Sequence, residues 1–212
     1  MISDLRQKIS ALWRMIRQYP VFGRRGSPIE SLDLVADFAI TRAAFIAQKT
    51  MFGYVKTRMG IAYPEMFRDD LINTSLKLAV MHHYSACLSD LTIYVFRILS
   101  SKHNLSDKDC EREALQTFRL GLTQNLDPEI ELFNIDSACD IFANRITGIK
   151  WASPFNAFTL FKESPCSLTR WAPIADEYKA RDKVIAENSV SFAWIEVRKD
   201  FFNRLRISTL YI

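Results

Sequence analysis

The stretch LKLAVMHHYSACLSDLTIYVFRILS, residues 76–100, decides the class of fold. Its apolar side chains fall at nearly every angle of a helical wheel, and no Gly or Pro interrupts it. Leu76, Leu78, Val80, Leu88, Leu91, Ile93, Val95, Phe96 and Ile98 continue a pattern begun by Leu71 and Ile72. A helix that is apolar all round has to be covered on every side. The sequence therefore predicts a central helix over about residues 66–100, in one piece or two, with the remaining elements wrapped around it. It is not a membrane span: the run starting at Leu91 meets Arg97 after six residues, far short of the ~20 that a bilayer requires.

Outward from this centre the apolar positions keep helical spacing. Upstream, Leu34, Phe38, Phe45 and Phe52 step nearly by sevens, widened by Ile46 and Val55, which predicts a helix over residues 31–58 stopped by Met59-Gly60. Downstream, Ser106-Asp-Lys-Asp109 has the spacing of a capping box and opens a helix to about residue 122. Asp127-Pro128 opens a short helix, and Asp136 another to about residue 147. Gly148, Pro154 and Pro165 mark residues 148–170 as a loop with short turns. A last helix runs over about residues 172–206, with Ile174, Tyr178, Ile185, Phe192, Ile195, Phe202 and Leu205 as its expected buried face. The predicted fold is all-α, a single orthogonal or bundle-like domain of six or seven helices over residues 27–212. Six glycines and seven prolines are too few for an all-β chain.

Residues 1–26 differ in character. Ile2, Leu5, Ile9, Leu12, Trp13 and Ile16 form one apolar stripe, Ser3 can cap the helix over residues 4–18, and Tyr19-Pro20 stops it. Arg6, Lys8, Arg14, Arg17, Arg24 and Arg25 against Asp4 give this segment a charge of +5, so the rest of a +4 chain carries −1. Gly23-Arg-Arg-Gly-Ser-Pro28 reads as a linker. Together they predict a basic amphipathic arm that docks the protein, with Trp13, Arg14 and Arg17 as its binding residues. Cys87, Cys110, Cys139 and Cys166 are dispersed without a C-x-x-C pair, and no secretion signal is present, so a reducing cytoplasm is the expected compartment.

On the central helix His83, Cys87 and Asp90 stand one turn apart on one face, a spacing that admits a Cys–His nucleophile or part of a metal site. The competing reading is structural: neighbours on one helix face rarely converge on one reacting atom, and a buried His–Asp pair often satisfies only itself. No catalytic residue is assigned on this basis. The chain has no E-x-x-H, G-x-G-x-x-G or P-loop pattern, so no metal or cofactor is expected. Arg42, Lys49 and Lys56 step by seven, as a solvated helix face commonly does, and a pI of 8.9 argues against a nucleic-acid partner. Arg170 and Trp171 follow a loop rich in aromatics and are expected to wall a cleft.

Gly53-Tyr-Val-Lys-Thr-Arg-Met-Gly60, Ala86-Cys-Leu-Ser-Asp-Leu91, Glu163-Ser-Pro165, Arg170-Trp-Ala-Pro-Ile174, Glu187-Asn-Ser189 and Phe192-Ala-Trp194 resemble, in the same order, a family of uncharacterised alphaproteobacterial proteins. The likeness covers about residues 34–206. It implies a bacterial, helical protein and carries the label "esterase", without catalytic residues. The G-x-S-x-G elbow of an α/β-hydrolase is missing from the chain. Three functions follow as expectations: a cytoplasmic adaptor or assembly factor that binds another protein; a small-molecule hydrolase built on the central helix; and a peripheral protein held at an anionic membrane surface by residues 4–18.

Overall fold

The computed structural model of the chain describes residues 26–60, 69–128 and 130–206. Among these the fold is all-α, with α1 (Leu32–Met59), α2 (Asp70–His103), α3 (Asp107–Asn125), α4 (Ile135–Ile146), the single turn α5 (Ala157–Leu160), α6 (Glu163–Trp171) and α7 (Asp176–Arg204). The only extended pairing among the described residues is an isolated parallel bridge between Ile29 and Leu205.

Helix starts are written in local side chains. Ser31, Asp69, Ser106 and Asn134 each accept a bond from a backbone N–H of the first turn that has no helical partner. The expected capping box at Ser106 forms: its Oγ accepts from Asp109 N and donates to Asp109 Oδ2. α2 is continuous over 34 residues and packs against α1, α3, α4, α5 and α6, which is why its apolar residues need no single face. Its covering is close. A Cβ on Gly121 of α3 would come within 2.6 Å of Leu88 and 2.9 Å of the Tyr84 hydroxyl, so the glycine sets how near α3 can lie. α1 and α7 run antiparallel, tied by Phe38 against Phe201, Arg42 against Asp200, and Tyr54 and Arg58 against Asp182. Arg42 is thus a buried ion-pair partner and not part of a solvated stripe.

Three expectations are corrected. Asp127-Pro128 forms a turn, with Ile130 N donating to Asp127 O, and no helix is present there among the described residues. Residues 163–171, expected within a loop, form α6; Pro165 lies in its first turn, where the missing N–H costs nothing. On α7 the expected face is turned outward: Tyr178, Ile185, Phe192 and Phe202 are exposed, and Ile174, Ile195 and Leu205 are half-buried. The core side is Asp182, Ala186, Val190, Trp194, Val197 and Phe201, whose small members let α7 lie close to its neighbours.

Candidate functional site

Asp90 is the junction of four helices. Its side chain is fully buried on α2 and carries a charge-assisted bond from Arg145 Nη2 of α4 at 2.6 Å. Its Oδ2 accepts from both the backbone N (2.8 Å) and the Oγ (2.7 Å) of Ser164 in α6. Trp194 Nε1 of α7 donates to that same Oγ at 2.9 Å. Lys162 stands at the N-cap of α6 and supplies no side-chain cap. The Asp90 carboxylate takes over that role from another helix, where it also meets the positive end of the α6 dipole. Burial raises the Asp90 pKa, and Arg145 and Ser164 oppose that rise. Arg145 Nη1 also donates to Ser89 Oγ at 2.6 Å, and Nη2 to Leu160 O at 3.2 Å.

His83 and Cys87 serve a different side of α2. Thr50 Oγ1 of α1 gives its one proton to Ile46 O at 2.7 Å, so at its 2.8 Å contact with His83 Nε2 it can only accept. With the Thr50 proton on Ile46 O, His83 is the Nε2–H tautomer, and among the described residues its buried Nδ1 has no hydrogen-bond partner. Burial lowers the His83 pKa to about 3. The Cys87 thiol, 3.9 Å from Nε2, is pushed well upward by burial and by the Asp90 charge. A thiolate–imidazolium pair needs both shifts in the opposite direction. Among the described residues no group of three or more His, Cys, Asp or Glu could hold a metal.

Arg170 and Trp171 are among the residues lining a space of about 680 Å³ between α2, α4 and α6. Trp171 stacks face to face on His82 with ring centroids 3.5 Å apart, and Phe133 meets the same imidazole edge-on. Burial lowers the His82 pKa, so this imidazole is a neutral ring against aromatics. Ser167 Oγ lies buried behind the cleft wall with no hydrogen-bond partner among the described residues, so none of these activates it as a nucleophile. Arg170 and Trp171 line this cleft together with Arg145, which holds the buried Asp90 behind it; Asp90, His83 and Cys87 are not part of its lining.

A second concavity of about 670 Å³ runs between α1 and α7. Its floor is Ile46, Thr50, Gly53 and Ala186, and Ile185 and Phe192 rise along its α7 side at 76% and 67% exposure. Lys49 and Arg58 stand on the α1 wall, Asp182 and Glu196 on the α7 wall. The groove is hidden in the sequence because Tyr178, Ile185 and Phe192, at seven-residue steps, read as a core stripe. The usable signal was Ala186, Val190 and Val197, small residues that mark the truly packed side. Trp13, Arg14 and Arg17 lie outside the described residues.

No protein-family model, curated protein or solved structure matches the chain.

Proposed function

We propose that the chain is a non-enzymatic protein-interaction protein, an adaptor or assembly factor, whose α1–α7 groove receives an amphipathic helix. The observation that carries this reading is the outward apolar side of α7. Ile185 and Phe192 lie two turns apart, mostly exposed, over a groove with an apolar floor. An apolar stripe at that spacing is what a helix with its own apolar face packs against. The groove lining from Asp182 to Glu196 spans ~21 Å, the length of about four helical turns. The hydrolase reading gains less support. Asp90 is consumed in holding helices together, and among the described residues no base activates Cys87 or Ser167. The four free thiols favour a reducing compartment such as the cytoplasm.

The test compares tagged wild-type chain with the double variant Ile185→Asp/Phe192→Asp and with Leu132→Asp, which alters an exposed apolar residue of the other cleft. The expected result is one stoichiometric protein partner, lost only from the double variant. The same partner, made recombinantly, should bind purified wild-type chain and not the double variant. Partner sets that do not change in the double variant overturn the groove as the interaction surface.

A further inference from the structure

We infer that the helix which occupies the α1–α7 groove is the chain's own residues 4–18, so that the protein carries the resident occupant of its interaction surface. This rests on reading that groove as a helix-docking site. Three independent observations converge on it.

The first is length and reach. Gly26 lies against Arg204 at the end of α7, where a Cβ would come within 2.6 Å of the guanidinium Cζ, and Arg204 Nε donates to Ser27 O at 2.9 Å. The described chain therefore begins beside α7, eight residues beyond the groove's near end at Glu196, or ~12 Å along the helix. The seven residues 19–25 reach at most ~25 Å, enough to bring residue 18 to that end. From there a helix over residues 4–18, ~22 Å long, matches the ~21 Å of groove.

The second is apolar need. A fifteen-residue helix is marginal in water, so the stripe Leu5, Ile9, Leu12, Trp13 and Ile16 requires a partner surface. Ile185 and Phe192 equally lack cover in the described fold. The two unsatisfied faces lie within one linker's reach of each other.

The third is charge and polarity. Entry from the Glu196 end sets the arm antiparallel to α1 and parallel to α7. With the stripe facing the groove floor, a right-handed helix in that polarity turns Arg17 toward α7, level with Glu196, while Asp182 at the far end is already held by Arg58 and Tyr54. The reverse polarity would set Arg6 against Lys49 on the α1 wall. The polarity that the linker imposes is the one that the charges favour.

Hydrogen–deuterium exchange on the full-length chain tests this. Amides of residues 5–17 are expected to exchange ~10-fold or more slowly than in an unstructured peptide. That protection should vanish in Ile185→Asp/Phe192→Asp and persist in Leu132→Asp. Glu196→Arg should weaken it, and Arg17→Glu in the same chain should restore it. Protection should not change from low to high micromolar protein. Protection that rises with concentration assigns the groove to the arm of a second copy and overturns the proposal. Protection that survives the double variant places the arm elsewhere and also overturns it. An unprotected arm in a wild-type chain whose partner capture still depends on Ile185 and Phe192 overturns the arm as occupant while leaving the groove reading intact.

Discussion

α2 and α7 both spread their apolar residues around the whole circumference, and they do so for opposite reasons. α2 is surrounded by five elements, so residues facing every direction are buried. α7 packs mainly on α6 and α1, so its core side buries Val190, Trp194 and Phe201 and its far side shows Tyr178, Ile185, Phe192 and Phe202 to solvent. The same pattern denotes a centre in one helix and a docking edge in the other. What separates them is the polar residues. Asp90 and Ser100 of α2 are paired inside the protein, whereas Ser189 and Glu196 of α7, beside the exposed stripe, line an open groove.

The sharpest way to break this contrast is at Asp90. Asp90→Ala leaves the Arg145 guanidinium without its partner and Ser164 N without an acceptor at an otherwise uncapped helix. The expected loss is about 3–5 kcal/mol, read by urea denaturation, with a melting temperature lower by about 10 °C. A loss under about 1 kcal/mol would show that the junction does not hold the four helices together.

Acid is the next largest lever. His83 is neutral in the folded chain, with its pKa lowered to about 3, and regains a value near 6.5 on unfolding. The unfolded state therefore takes up the proton first. The His83 contribution is fully present above pH 6.5 and fades as pH falls toward 3; at pH 5 the loss is about 2 kcal/mol. Burial also lowers the pKa values of His82 and His103, which adds to the same trend. His83→Leu removes the unpartnered Nδ1 while Thr50 keeps its bond to Ile46 O, so near-wild-type stability at pH 7.5 and a flatter acid limb are expected. Melting curves from pH 7.5 to pH 5 that keep their full slope in this variant would locate the acid sensitivity in another group.

The smallest effect belongs to α7. Phe192→Asp is expected to change global stability by no more than about 0.5 kcal/mol, because the ring is mostly exposed. A cost above about 2 kcal/mol in denaturant would make that side of α7 part of the core after all.

The sequence made the all-α class and the central helix legible because covering a helix on all sides requires apolar residues on all sides, a one-body property. Caps were equally readable wherever the capping side chain is local, as at Ser106. α6 escaped notice because its cap is supplied by Asp90, 74 positions away, and its short span contains Pro165. No local pattern records a cap of that kind. The outward face of α7 is not legible from side-chain size, because close helix packing favours Ala186 and Val190 over Phe192. Arg170 and Trp171 line a space beside the aromatics that precede them, whereas the α1–α7 groove depends on which side of α7 is left uncovered, a relation among three helices.

The bridge between Ile29 and Leu205 has a mechanical consequence. The two segments run parallel, with Ile29 N bonded to Arg204 O and Arg206 N bonded to Ile29 O. A force pulling the chain by its two ends draws these segments in opposite directions along their own axes. It loads both hydrogen bonds, and the Arg204–Ser27 bond beside them, in shear at the same moment. The fold meets tension first at its narrowest seam, and there as a clasp that must slide as a unit before either long helix can be peeled away.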